Sequence, residues 1–290
     1  MAANPGYPHK VFLNGKIVPS ADANISVFDR GFIFGDGLYE VMARIGGNYF
    51  YREAHLNRLR RGLKEIAIDF DVAVFEEHIP ELLRVSDLED KDSLLYMQVS
   101  RGAAPRQHSF PANVPPTAMM YAWEKSLPEI EPRHAHAVIK EEFRWSRCDI
   151  KSTSLLGNVM ANQWASSQDA YETVFYRDGI VTEASHSNIF FVRDGVVYTH
   201  PANNHILWGI TRQVVVELCE TMGIPLKEEA IALSQITAMD EAFLTGTSTQ
   251  IMALKTLGNH EYFASEPGPV TRKLQEGFLE LKIRDSQAGQ

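Results

Sequence analysis

Short stretches of alternating apolar and polar residues, broken by turn pairs, open the chain. Val11-Phe12-Leu13 and Lys16-Ile17-Val18 flank Asn14-Gly15, a pair that tolerates the positive φ of a tight turn, so the spacing predicts a hairpin. Residues 38–45 and 48–51 repeat the pattern around Gly46-Gly47. The period then changes. Leu56, Leu59, Leu63 and Ile66 recur at helical spacing, which predicts an amphipathic helix over 53–66. A second helix falls within 72–85, and 93–101 and 117–123 read as strands.

Residues 124–133 interrupt the pattern with two prolines, several charges and little that can be buried, which marks a linker. Beyond it a strand covers Ala135, Val138 and Ile139, and a helix covers 157–167. Strands at 171–176, 179–182, 188–192 and 196–198 are punctuated by Asp178-Gly179 and Asp194-Gly195. Val214, Val215, Leu218 and Met222 define a helix over 210–222, and Val270, Leu274, Phe278 and Leu281 a last one over 270–281. Strands and helices do not alternate one for one, which argues against a simple parallel sheet. The expectation is α+β, with a small domain over 1–123, the linker 124–133 and a larger domain over 134–290.

Composition narrows the function. The 290 residues are 44% hydrophobic and 22% charged, a globular balance. The net charge of −9 lacks the basic footprint that a nucleic-acid backbone requires. The only cysteines, Cys148 and Cys219, form neither a disulfide framework nor a CxxC metal site. No signal peptide or membrane-spanning run is visible, so a cytoplasmic protein without nucleic-acid or membrane partners is expected. The sequence holds no GxxxxGK[ST], HExxH or GxSxG. His134 and His136 point the same way on a strand, but nothing at ligand spacing completes a metal site, so no metal is expected.

Three features remain. Lys151 stands among small and apolar residues, from Cys148 to Leu156, just before a helix of low charge. A lysine so placed loses hydration of its charged form and becomes a usable amine nucleophile and base. Glu183 sits at a strand end before Ala184-Ser185-His186-Ser187, where a carboxylate can pair with a cationic ring nitrogen. Leu207-Trp208-Gly209-Ile210-Thr211-Arg212 opens a helix, whose free N–H groups attract an anion, and Gly209 lets a ligand approach. The hydroxyl-rich turn around Thr247, and Arg58 on the exposed side of its helix, can add donors to that anion. Singly, each feature is explained by a solvated lysine, a turn acid, helix capping and a surface arginine. Together they are what pyridoxal 5'-phosphate requires: an amine, an acid for its ring nitrogen and a phosphate cradle.

The ordered set of motifs resembles the fold type IV, or class IV, aminotransferases, and within them the bacterial D-amino-acid transaminases. The likeness spans residues 11–281 and is strongest over 29–41, from Arg101-Gly102 to Pro111, over 144–152 and over 198–204. The resemblance implies a smaller N-terminal and a larger C-terminal α/β domain, pyridoxal phosphate between them, and a homodimer. It implies that Lys151 forms the Schiff base and shuttles the Cα proton, that Glu183 pairs with the pyridine nitrogen, and that Leu207 packs on the ring. Arg58, Ile210, Thr211 and Thr247 match the phosphate-binding positions. Arg106 and His108 match a substrate carboxylate trap that reaches in from the partner subunit.

The implied reaction is ping-pong transamination of a D-amino acid with a 2-oxo acid such as 2-oxoglutarate or pyruvate. Phe32 departs from the pattern, because that trap usually includes a tyrosine hydroxyl there; His186 and Trp208 also depart. Branched-chain L-amino-acid or (R)-amine transamination and aminodeoxychorismate lysis are the alternatives on the same fold. A noncatalytic relative that merely binds the cofactor or a partner is the alternative of a different class. Branched-chain enzymes typically carry an EGxR motif, and it is absent after the strand at 38–44.

Overall fold

The computed structural model describes residues 6–287. The chain divides into two compact units. The first comprises the chain up to Ser126, the segment Ile150–Leu155 and the residues from Asp285; the second comprises Leu127–Asp149 and Leu156–Arg284.

In the first unit, strands β1 (Lys10–Leu13) and β2 (Lys16–Pro19) form the expected hairpin, with Asn14 and Gly15 both at positive φ. A short helix that the pattern does not announce, α1 (Arg30–Phe34), precedes β3 (Gly37–Ile45) and β4 (Asn48–Tyr49). Helices α2 (Arg52–Glu65) and α3 (Ala73–Val85) follow, then β5 (Ser93–Ser100) and β6 (Thr117–Glu124). Among the described residues these strands make one antiparallel sheet of order β2-β1-β6-β5-β3-β4.

The core lies where Phe12, Leu38, Met42, Leu95 and Met97 meet Leu56, Leu59, Phe75 and Leu82. Gly62 permits this approach, because a Cβ there would stand 2.8 Å from Leu38 Cδ1. The other face of the sheet carries an aromatic ladder: Tyr39 stacks on Tyr96 with ring centroids 5.6 Å apart, and Tyr96 on Tyr121 at 5.0 Å.

Segment 150–155 joins this unit rather than following the linker into the second. Tyr39 N donates to Lys151 O at 3.1 Å, Thr153 N donates to Gly37 O at 2.9 Å, and Leu38 bridges Ser152. These main-chain bonds add the segment to the edge of β3.

The second unit contains β7 (Ala135–Glu141), α4 (Leu156–Ser166), β8 (Glu172–Arg177), β9 (Ile180–Ala184), β10 (Asn188–Arg193), β11 (Val196–Thr199) and α5 (Ile210–Thr221). It continues through β12 (Leu226–Lys227), β13 (Glu241–Gly246), β14 (Gln250–Leu257), β15 (His260–Glu261) and α6 (Pro269–Gln287). Among the described residues its strands form a mixed sheet of order β12-β11-β10-β13-β14-β7-β8-β9, with β15 beside β14. The pairs β14–β7 and β7–β8 are parallel. The Asp-Gly turns sit where the sequence places them, with positive φ at Asp178, Gly179, Asp194 and Gly195.

The linker is less free than its composition suggests. Glu131 is buried, and the buried Lys282 of α6 donates to Pro128 O at 2.8 Å and Glu129 O at 2.6 Å. Among the described residues no helix is long and apolar enough to cross a membrane.

Candidate active site

In the first unit the edge segment holds Lys151 half-buried, with Nζ 4.3 Å from the Tyr39 ring centroid at one end of the aromatic ladder. Beneath it, on the core face, alternation along β3 buries Glu40 between Leu38 and Met42. Glu40 is met by two residues of α2. Arg58 Nε donates to Oε2 at 2.9 Å and Nη2 to Oε1 at 2.6 Å, while His55 Nδ1 lies 2.9 Å from Oε1. Burial alone would push the Glu40 carboxyl up. Arg58 and His55 outweigh it and hold the group far below the usual carboxylate range. Burial pulls the His55 pKa down against the opposing pull of Glu40.

Arg58 is therefore not on the exposed side of its helix. It is 8% exposed and gripped by Glu40. The reason is register: His55, Arg58 and Gly62 follow the helical spacing of the buried stripe, so a side chain there can face water only by leaving the core.

The loop after β5 presents Arg106 and His108, both exposed, around one aromatic ring. Arg106 Cζ lies 5.2 Å and the His108 ring 5.6 Å from the Phe34 ring centroid. Phe32, two residues earlier on α1, is 71% exposed.

In the second unit Glu183 ends β9 and is buried. Its Oε2 accepts from Leu207 N at 2.8 Å and from Asn188 Nδ2 at 3.3 Å, and Oε1 lies 3.1 Å from Arg144 Nη2. Arg144 also forks onto the buried Glu142, with Nε to Oε1 at 2.9 Å and Nη2 to Oε2 at 2.6 Å. One guanidinium thus serves two buried carboxylates. Burial pushes the Glu183 carboxyl up to about 7, with Arg144 and the Leu207 N–H pulling against it. Leu207 is tied by both main-chain groups, since Asn188 Nδ2 also donates to its carbonyl at 2.8 Å.

Helix α5 begins two residues beyond Trp208. Its N-cap Gly209 supplies no side-chain cap, so the first-turn N–H groups at Ile210 and Thr211 point out of the helix end. A Cβ at Gly209 would meet Asn188 Oδ1 at 2.1 Å, so the glycine makes room for Asn188 rather than for a ligand. Thr247 is half-buried in the turn between β13 and β14. His186, half-exposed, has Nδ1 2.9 Å from Glu172 Oε1, and Trp208 Nε1 donates to Asn203 O at 2.9 Å.

His134 precedes β7 and packs its ring edge against Phe263, while His136 Nδ1 lies 2.9 Å from Thr256 Oγ1. The two histidines therefore do not share a strand face. Among the described residues no group of three or more His, Cys, Asp or Glu is placed to hold a metal ion.

Sequence reasoning assigned no role to Glu40, His55, Tyr39, Arg144 or Asn188. A signal existed for Glu40: period-two alternation puts it on the same face as Leu38 and Met42, and a lone acid there demands a buried cation. No comparable pattern pairs Arg144 with Glu183.

The raised pKa of Glu183 gives a test in cofactor-stripped protein. The folded value, about 7, lies above the ordinary 4.5, so the proton on Glu183 favours the folded chain. That contribution is complete below pH 4.5 and is lost as pH rises through 7. The Tm of wild type should fall relative to that of Glu183→Gln across this window. A difference that stays flat with pH would show that Glu183 is ionised throughout.

Residues 37–257 match the family described as Amino-transferase class IV. The chain is 39% identical over 274 residues to the D-alanine aminotransferase of Staphylococcus epidermidis, covering 93% of this chain and 96% of that one. Among solved structures, the branched-chain aminotransferase of Thermoproteus uzoniensis superposes with a TM-score of 0.83 at 25% identity, covering 95% of each chain. A second branched-chain amino acid aminotransferase, from the organism abbreviated T.th. and solved with pyridoxamine 5'-phosphate, gives a TM-score of 0.86 at 24% identity, over 96% of this chain and 95% of that one.

Proposed function

Because the chain belongs to the class IV aminotransferase family, and so is an aminotransferase of α+β fold type IV, we propose that it moves amino groups between D-amino acids and 2-oxo acids with pyridoxal 5'-phosphate. The observation that carries the D-amino-acid reading is the exposed pair Arg106 and His108 set on Phe34. A guanidinium fork and an imidazole suit a single carboxylate. The 39% identity to a D-alanine aminotransferase supports the same branch.

The donor set fits the cofactor. Glu183 is a buried acid whose ionised form lacks enough compensation, and a protonated ring nitrogen would supply it. The uncapped start of α5 offers N–H groups to a phosphate, as the Thr247 hydroxyl and Arg58 do in this reading. When bound, the cofactor supplies an electron sink for charge developing at the substrate Cα. Lys151 holds the cofactor and carries the proton between Cα and the cofactor carbon. Glu183 keeps the ring nitrogen protonated, Leu207 packs on the ring, and Arg106 and His108 orient the carboxylate.

The working unit in this reading is a homodimer. Ile25, Val27, Phe28, Phe32 and Phe110 of the first unit are 49–71% exposed, more apolar surface than a monomer normally leaves in water. With Arg106 and His108 also outward, this supports a trap that serves the partner subunit. The two cysteines are buried and free, in keeping with a reducing cytoplasmic setting.

The deciding experiment assays D-alanine, L-leucine and an (R)-arylalkylamine, each with 2-oxoglutarate and with pyruvate. Turnover of D-alanine above the others is expected; L-leucine as the preferred donor would overturn the reading. Arg106→Ala should raise KM for D-alanine by about 10- to 150-fold, the worth of a charge-assisted hydrogen bond, and leave the arylalkylamine little affected. Phe32→Tyr adds a hydroxyl where the resemblance expects one, and should raise kcat/KM for D-alanine but not for the amine. An unchanged ratio would show that Phe32 only packs.

A further inference from the structure

The loop that carries Arg106 and His108 has almost no regular hydrogen bonding of its own, yet both side chains reach the same ring. What holds it is one buried arginine. Arg30 is 3% exposed at the start of α1. Its N–H donates to Gly102 O at 2.9 Å, while Ala104 N donates to Phe28 O at 3.2 Å, so the base of the loop is tied to the approach to α1. Its guanidinium then reaches the middle of the loop, with Nη1 donating to Gln107 O at 2.6 Å and Nη2 to His108 O at 3.5 Å. The shorter bond is made to the residue between Arg106 and His108. The third direction of the fork, Nε, is fixed on Asp36 Oδ2 at 2.7 Å.

Asp36 is shared with Arg101, whose Nε and Nη2 lie 2.9 and 3.1 Å from its two oxygens. Arg101 also donates to Ala67 O and Ile66 O, and its guanidinium lies 3.5 Å from the centroid of Phe110, near the far end of the loop. Between these ties stands Phe34. Arg30 Cζ lies 4.8 Å from its centroid and Arg106 Cζ 5.2 Å, so the ring is contacted by the buried guanidinium and by the exposed one.

We propose that Arg30 is a positioning residue for substrate carboxylate recognition: braced by Asp36 and working with Phe34, it fixes the 104–111 loop so that Arg106 and His108 face one carboxylate in a set geometry. This rests on the reading that Arg106 and His108 receive that carboxylate. A lysine at position 30 can keep the ion pair with Asp36 but cannot also direct two donors at Gln107 O and His108 O. The loop then loses its middle tie while its base and far end remain. Misplacement of a binding group by about 1 Å can cost as much as 10²-fold.

The test uses the holoenzyme and three variants: Arg30→Lys, Phe34→Leu and Arg106→Ala. It measures kcat and KM for D-alanine, the inhibition constant of propanoate (a carboxylate without an amino group), and the half-reaction with an (R)-arylalkylamine. For Arg30→Lys, KM for D-alanine and the propanoate constant should rise together by about 10- to 100-fold, with kcat and the amine half-reaction largely retained. Phe34→Leu should shift the same two constants in the same direction, and it decides the matter if Arg30→Lys does not fold. If Arg106→Ala weakens propanoate while both other variants bind it as wild type does, Arg30 has no positioning role and the inference falls alone. If Arg106→Ala itself leaves propanoate binding unchanged, the carboxylate reading fails and the inference fails with it. A uniform loss on D-alanine and the amine in Arg30→Lys would mark a structural residue and overturn the proposal.

Discussion

Lys151→Ala is expected to abolish multiple-turnover transamination. The loss should be at least the roughly 10²–10⁴-fold range of a positioned acid–base group, since the proposed role combines proton transfer with a covalent hold on the cofactor. The fold should survive. Lys151 is half-buried, its ammonium lies over the Tyr39 ring, and segment 150–155 is attached to β3 by main-chain bonds that alanine retains. The checks are steady-state turnover of D-alanine and borohydride reduction followed by peptide mass analysis. In wild type the reduced cofactor should be found on Lys151. A retained rate in the variant, or a tag on another lysine, would remove Lys151 from the chemistry.

Glu40→Leu is expected to destabilise the protein by about 3–5 kcal/mol, the cost of leaving a buried partner charge uncompensated. Arg58 is 8% exposed and its fork closes on both Glu40 oxygens, so without the carboxylate its charge stands against the core of the first unit. The double variant Glu40→Leu, Arg58→Met should recover much of that loss, because exchanging a whole buried ion pair for apolar groups is often close to neutral. If Arg58 binds the cofactor phosphate as proposed, the double variant will be stable yet weak in cofactor affinity.

The pH dependence has a definite sign. The Glu40 pKa is depressed in the folded state, so its stabilisation is complete above the ordinary carboxylate value of 4.5 and is lost as pH falls below it towards the depressed value. Urea unfolding of wild type and variants at pH 7 and below 4.5 measures both effects. A single and a double variant of equal stability would show that Arg58 is solvated after all.

Much of the fold was legible wherever one face of an element is wet. The hairpin at Asn14-Gly15, the helix behind Leu56, Leu59 and Leu63, and the two Asp-Gly turns all appear where the periodicity puts them. Strands β13 and β14 did not. Ala242-Phe243-Leu244 and Ile251-Met252-Ala253-Leu254 are continuous apolar runs, buried on both faces, and such runs carry no alternation to read.

The site shows the same division. Lys151, Glu183 and the start of α5 stood out because their residue types are unusual for their surroundings. Arg58 was placed on the wrong side of its helix because a charge is assumed to face water, and its partner Glu40 lies eighteen positions away on another element. The role of Arg144 depends on Glu142 and Glu183 closing around it, which is a three-dimensional fact with no periodic trace.

The composition of the first unit has a consequence for synthesis. All six of its strands lie before residue 125, but Lys151 and the residues from Asp285 also belong to it. The Asn48 side chain donates to Asp285 O at 2.9 Å. On the ribosome, at about 5–20 residues per second, the sheet can therefore pair for a second or more before the reactive lysine emerges. Its final strap arrives only near the end of translation. The amine is docked late onto the edge of a sheet that is already made, and a fragment ending at Ser126 contains the whole sheet and none of the chemistry.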